Sequence, residues 1–254
     1  YQTPCTPGHY QPTSGQAVCL NADAGYYVAV HGANSQFTCG LGTFNPDTAQ
    51  SSCTDASPGH YVDTPASVSQ IACTAGTYNP STGSSSAADC LPTDAGNYVP
   101  MAGAAEQIPC ATGSYQPSFG QASCILADPG HYVPATSYQN QLECQLGTFQ
   151  PYSGASSCSD AESGHYVDSN GSASQTDCPP TTYNPATGSD DRDDCIDVEP
   201  GHYSAEWGTA EHLECAPGTY QPNSGQMSCI DADSGHFVSS SGAISQSACP
   251  AGTY

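Results

Sequence analysis

The chain has 254 residues, and 24 Asp plus Glu face a single Lys or Arg (Arg192), for a formal net charge of −23. A surface of that sign repels phosphate backbones and anionic lipid, which excludes nucleic acid and membrane surfaces as partners and favours cations. With 26 Gly, 21 Pro and few Leu, Ile, Met or Phe, the composition also excludes long helices and a single large aliphatic core.

The 15 cysteines are regularly spaced, and no two lie closer than 14 positions. That pattern argues against zinc bound by close cysteine pairs and for a disulfide framework, hence an oxidising, extracellular compartment. No apolar run is long enough to cross a membrane. The chain begins and ends in mid-phrase (YQTPC…, …CPAGTY), which reads as a window from a longer secreted protein.

Taken in chain order, the first recurrent element is G-x-aromatic. Its glycine slot falls at 8, 25, 42, 59, 76, 96, 113, 130, 147, 164, 181, 201, 218, 235 and 252, with Thr181 in place of one glycine. The ring follows two residues later, from Tyr10, Tyr27 and Phe44 through to Phe237 and Tyr254. Each step is 17 residues, or 20 at two places. Cysteine spacings alternate 14 and 20, with 17 replacing 14 twice, so pairs of units repeat every 34 or 37 residues. The stretched loops, Cys73 to Cys90 and Cys178 to Cys195, lie 105 residues apart, and YQTPC at 1–5 returns as EQIPC at 106–110 and EHLEC at 211–215. The whole reads as one tandem array with superrepeats 1–105, 106–210 and a partial 211–254.

Units with two cysteines alternate with units that have none. In the second kind the two cysteine positions hold Ala22 and Gln36, Ala56 and Gln70, Thr93 and Gln107, Ala127 and Gln141, Ala161 and Gln175, Val198 and His212, and Ala232 and Gln246. Both cysteines are missing together every time. Loss of one alone would strand its partner, so joint absence selects bonds within the closed unit: Cys5–Cys19, Cys39–Cys53, Cys73–Cys90, Cys110–Cys124, Cys144–Cys158, Cys178–Cys195 and Cys215–Cys229. Cys249 would then bond beyond the window. The alternative joins Cys19 to Cys39 and onward, and leaves Cys5 over.

A 17-residue unit cannot fold by burying a core, so the disulfide is expected to carry it. The glycine suits a positive φ or a close backbone approach, although Thr181 speaks against a strict requirement. The ring is expected on the disulfide or on the next unit. The prolines of Tyr10-Gln11-Pro12 and its copies force extension before a turn. The expected fold is therefore a small disulfide-rich array of β ladders and turns, with essentially no helix. Stacked unit on unit, it would form an elongated solenoid-like rod.

The phrase C-x-x-G-x-Y-x-P-x-x-G-x-x-x-C, carried by the closed units along the whole chain, resembles the ephrin-receptor-like cysteine-rich repeats. It is related in style to the one-disulfide modules of tumour-necrosis-factor receptors. In that family C-x-x-C often joins successive units, whereas each junction here keeps one cysteine. The resemblance implies an extracellular module and carries over no ligand-binding residue.

Candidate chemistry is sparse. The open units carry acid, small residue, Gly, often His, then an aromatic. Asp128 and His131, or Asp233 and His236, are the candidates for Ca²⁺ or another cation, against turn-capping and packing roles for the same residues. Tyr26, Ser57 and Asn97 interrupt the pattern. Asn170-Gly171-Ser172 is the one N-linked sequon, and the Ser- and Thr-rich turns suit O-linked glycans. The acidic run 190–194 around Arg192 reads as a solvated loop tip. Trp207, the single tryptophan, is the one candidate binding anchor. No catalytic motif or cofactor motif stands out, and Ser, His and Asp recur throughout the array where a catalytic site would be singular. The expected function is a self-associating, glycosylated building block of an extracellular fibre or surface appendage. The alternative is a rod-like spacer that presents a binding domain of a receptor or adhesin.

Overall fold

The computed structural model describes residues 3–252, so the ring expected at Tyr254 lies outside the described residues. The chain forms two compact units. One holds residues 1–111, 115–125 and 136–140, the other 112–114, 126–135 and 141–254. Both are built from the same element, an antiparallel hairpin whose strands are two residues long. In the first unit, His9–Tyr10 pairs with Leu20–Asn21, Tyr26–Tyr27 with Phe37–Thr38, and so on at the repeat period. In the second, His131–Tyr132 pairs with Leu142–Glu143 and Tyr220 faces Ile230. Among the described residues, helix is confined to single 3-10 turns, Ala87–Asp89 and Arg192–Asp194, one in each stretched loop.

Local chemistry accounts for this regularity. Two-residue strands are too short to set their own register, and isolated hairpins are marginal. The aromatic of each G-x-aromatic phrase therefore takes a cross-strand partner ten to thirteen residues later. Tyr10 faces Leu20, Tyr61 faces Ile71, Tyr78 faces Leu91 and Tyr203 faces Leu213. Such aromatic–aliphatic pairs contribute roughly 0.2–1 kcal/mol each. The seven disulfides Cys5–Cys19, Cys39–Cys53, Cys73–Cys90, Cys110–Cys124, Cys144–Cys158, Cys178–Cys195 and Cys215–Cys229 close loops of 14 or 17 residues across the hairpin connections. Cys249 is unpaired among the described residues.

Neighbouring repeats are joined by a backbone ladder. The Gly8 amide donates to the Val28 carbonyl, Gly25 to Asn45 and Gly42 to Val62, and the Ala22 amide donates back to the Gly8 carbonyl. Packing reaches one repeat further. The glycine of one phrase lies against the carbonyl of the turn two repeats on: Gly8 against Ala49, Gly59 against Gly103, Gly130 against Gly171 and Gly201 against Gly242. A methyl group at any of these glycines would collide with that carbonyl oxygen. Thr181 keeps the shared conformation, with φ of 79°, so positive φ belongs to the slot and not to glycine.

The core is a thin file with two positions per repeat. One is the first cysteine slot, filled by Cys39, Cys73 and Cys144 in closed units and by Ala22, Ala56, Thr93 and Ala127 in open ones, all essentially inaccessible. The other lies six residues on. It holds Val28, Val62, Val99, Val133 and Val167 in open units, and a buried amide such as Asn45, Asn79, Gln116 or Asn184 in closed ones. A fully buried valine contributes about 1.5–3 kcal/mol, so the file adds to the disulfides without replacing them.

Candidate functional site

The site-forming element of every repeat is the clamp at its loop ends. In closed units the disulfide is reinforced by the buried amide of the Tyr-Asn/Gln pair. Asn45 Nδ2 donates to the Tyr26 and Ser52 carbonyls, Asn184 Nδ2 to the His165 carbonyl and Ser189 Oγ, and Gln116 Nε2 to the Ser123 carbonyl. These bonds satisfy polar groups that burial would otherwise penalise. Spacing marked the Asn/Gln positions only as residues before proline, so their structural weight was not legible.

In open units the second cysteine slot holds a glutamine that closes the same loop without sulfur. Gln36 Oε1 accepts from the Asp23 amide at 2.8 Å while Gln36 Nε2 donates to Asp23 Oδ2 at 2.7 Å. Gln107 with Asp94, Gln141 with Asp128, Gln175 with Glu162 and Gln246 with Asp233 repeat both bonds, and Gln70 makes the first of them with Ser57. A two-bond amide clamp therefore stands where the neighbouring repeat has a covalent one. Gln141→Ala is expected to lower stability by about 0.5–1.5 kcal/mol, because the exposed loop-end amide of Asp128 exchanges its side-chain acceptor for water. The double change Cys39→Ala, Cys53→Gln should retain more stability than Cys39→Ala, Cys53→Ser, since only the first offers a carbonyl oxygen to the Gly40 amide, the single bond that Gln70 makes with Ser57. Thermal unfolding of the three variants tests both statements; equal midpoints for the two double variants would show that the clamp contributes nothing.

The clamp also decides what the expected cation ligands do. The Asp128 carboxylate faces the Gln141 amide, and His131 Nδ1 lies 3.2 Å from the Pro129 carbonyl. The Asp233 carboxylate likewise faces Gln246, and His236 is paired in register with Ala248. The contact of histidine Nδ1 with the carbonyl two residues back recurs at His9, His60, His165 and His202. Several of these rings also pack against the turn of a later repeat, as His60 does at Gly103. In the acidic run, Asp191 caps the 3-10 turn by accepting from the Asp193 amide, and Asp194 accepts from the Asp190 and Asp191 amides. Asn170 is exposed in its turn, and Trp207 is 64% exposed.

One open repeat departs from the rest. Its second slot holds His212 where six others hold glutamine, its acid is Glu199, and His202 stands on the strand between. The amide clamp is lost here. His212 Nδ1 is 3.8 Å from Glu199 Oε2 and is a buried nitrogen with no hydrogen-bond partner. The His212 ring meets the edge of Tyr183, with centroids 4.5 Å apart, and that of His202 at 4.4 Å. Glu199, His202 and His212 each bring one ligand-capable atom within 4.8 Å of the others, and they are the one such grouping among the described residues. The divergence from glutamine at position 212 was visible in the sequence. Its consequence was not, because it lies in which ring nitrogen is left without a partner.

A family model described as tyrosine-protein kinase ephrin type A/B receptor-like matches residues 201–254, a short C-terminal stretch that includes His202 and His212. No curated protein matches the chain. The matched family and the cysteine-rich repeat fold together support an extracellular location and point to a non-catalytic, receptor-like module. No helix among the described residues is long and apolar enough to cross a membrane.

Proposed function

We propose that the chain is a building block of an extracellular fibre or cell-surface appendage, a disulfide-stapled rod that associates with further copies of itself. The observation that carries this reading is the uniformity of the repeat. The same ladder, clamp and hairpin register recur in both compact units. Most return strands also offer an aliphatic or aromatic side chain at about half exposure, such as Leu20, Phe37, Ile71, Ile125, Ile196 and Leu213, while Thr54, Ser159, Thr176 and Ser247 take that place in the others. A repeated apolar contact in step with the repeat is what lateral assembly needs. The 105-residue superrepeat would mark one such contact per period. Exposed Asn170 and the Ser- and Thr-rich turns are candidate glycan carriers, which a mass loss on enzymatic deglycosylation checks.

The receptor-like match favours a second reading, in which the array spaces a binding domain away from a surface. Electron microscopy of the native material separates the two. The fibre reading expects long uniform filaments with an axial repeat equal to one superrepeat. Separate rods that end in a globular head would overturn it in favour of the spacer.

A further inference from the structure

We propose that Glu199, His202 and His212 form a binding site for a divalent transition-metal ion of the zinc type. The metal staples the loop ends of this repeat, in the slot where closed repeats carry a disulfide and the other open repeats an amide clamp.

Three observations converge on this. The first is the donor set. Two imidazoles and one carboxylate suit zinc and its neighbours, whereas calcium and magnesium take oxygen ligands. The second is geometry. The three ligand atoms lie within 4.8 Å of one another. Tetrahedral zinc with bonds of about 2.0–2.2 Å needs ligands roughly 3.3 Å apart. Small side-chain rotations bridge that difference in a hairpin whose strands already face each other, His202 opposite Glu214. The third is the orphan nitrogen. A buried imidazole nitrogen without a partner is costly, and a metal ion satisfies it.

The surroundings fit a metal centre. His202 Nδ1 lies 3.3 Å from the Pro200 carbonyl. The tautomer that donates there leaves Nε2 with its lone pair free, as metal-bound histidines require. Glu214 Oε1, 3.9 Å from His202 Nε2, can supply a fourth ligand or orient a bound water. The His212 ring also packs edge-on against Tyr183. One superrepeat earlier, the three positions hold Asp94, Asn97 and Gln107. There the clamp is complete, with Gln107 bonded to the Asp94 amide and carboxylate. Asp94 and Gln107 close the loop by hydrogen bonds in that copy, and in the next the three positions together hold the metal-ligating side chains Glu199, His202 and His212.

The test is calorimetric titration of the metal-free, disulfide-intact chain with zinc chloride, beside thermal unfolding with and without zinc. The expected result is one zinc per chain and a raised unfolding midpoint. His212→Gln should weaken binding at least roughly tenfold. The triple change Glu199→Asp, His202→Asn, His212→Gln should abolish it and remain folded, because it writes a repeat the chain already contains. His131→Asn should leave binding unchanged. Absence of binding up to millimolar zinc overturns the proposal. So does a triple variant, folded by near-ultraviolet circular dichroism, that binds zinc as tightly as the parent.

Discussion

Complete reduction in the absence of denaturant is expected to abolish the near-ultraviolet circular dichroism of the tyrosines and to open the chain to proteolysis. Each bridge closes a loop of 14 or 17 residues. In the chain-entropy account a loop of that size is worth about 3 kcal/mol of unfolded-state restriction. Little else stands behind it. Each repeat contributes two residues to the buried file, one of them no larger than a valine or a side-chain amide. Strands of two residues cannot hold register alone. Loss of one closed repeat also removes ladder partners from its neighbours, so the array should fail cooperatively over several repeats. The tyrosines report this because their rings are held in cross-strand pairs such as Tyr61 with Ile71. A fully reduced chain that keeps both its tyrosine signal and its protease resistance would show that packing and ladder hydrogen bonds suffice, and the disulfide framework would be secondary.

The second large effect concerns the glycine slot. Gly130→Val should destabilise by more than about 3 kcal/mol, since strain of order 1–3 kcal/mol at a left-handed backbone position adds to a steric collision. Gly130 has φ of 81°, its amide donates to the Gln150 carbonyl at 2.7 Å, and the Gly171 carbonyl sits where a side chain would begin. The side chain can be housed only by separating repeats that the ladder holds together. Thr181 is the natural counter-experiment. It keeps φ of 79° together with the bonds from its amide to Ser204 and from the Val198 amide to its carbonyl. Thr181→Gly is therefore expected to raise the unfolding midpoint. Relief of left-handed strain at a β-branched residue, about 1–3 kcal/mol, exceeds the roughly 0.5–1 kcal/mol of extra chain entropy that glycine brings to the unfolded state. Thermal denaturation of both variants against the parent measures the pair. A lower midpoint for Thr181→Gly would mean that the slot carries no strain.

Fold class was legible along the chain. Glycine, ring and cysteine recur at a period too short for a helix pair or an independent core, and only a repeated hairpin or turn satisfies all three. Extracellular setting followed from cysteine spacing for a related reason, since disulfides leave a linear record. What neighbouring repeats do to each other left no such record. The carbonyl that meets Gly8 belongs to Ala49, and the one that meets Gly59 belongs to Gly103. Separations of 41 and 44 residues are set by how the repeats stack, which no spacing in one unit displays. The glutamines at 36, 70, 107, 141, 175 and 246 were visible as occupants of empty cysteine slots. Only the fold turned their amides onto the loop ends. Asp128 and Asp233 read as possible ligands because sequence counts charges, and in the structure their carboxylates face those amides. His212 read as a variant of glutamine because sequence compares residue types. Its significance depends on a nitrogen about 4 Å from a carboxylate and closed off from water, a property of three-dimensional packing alone.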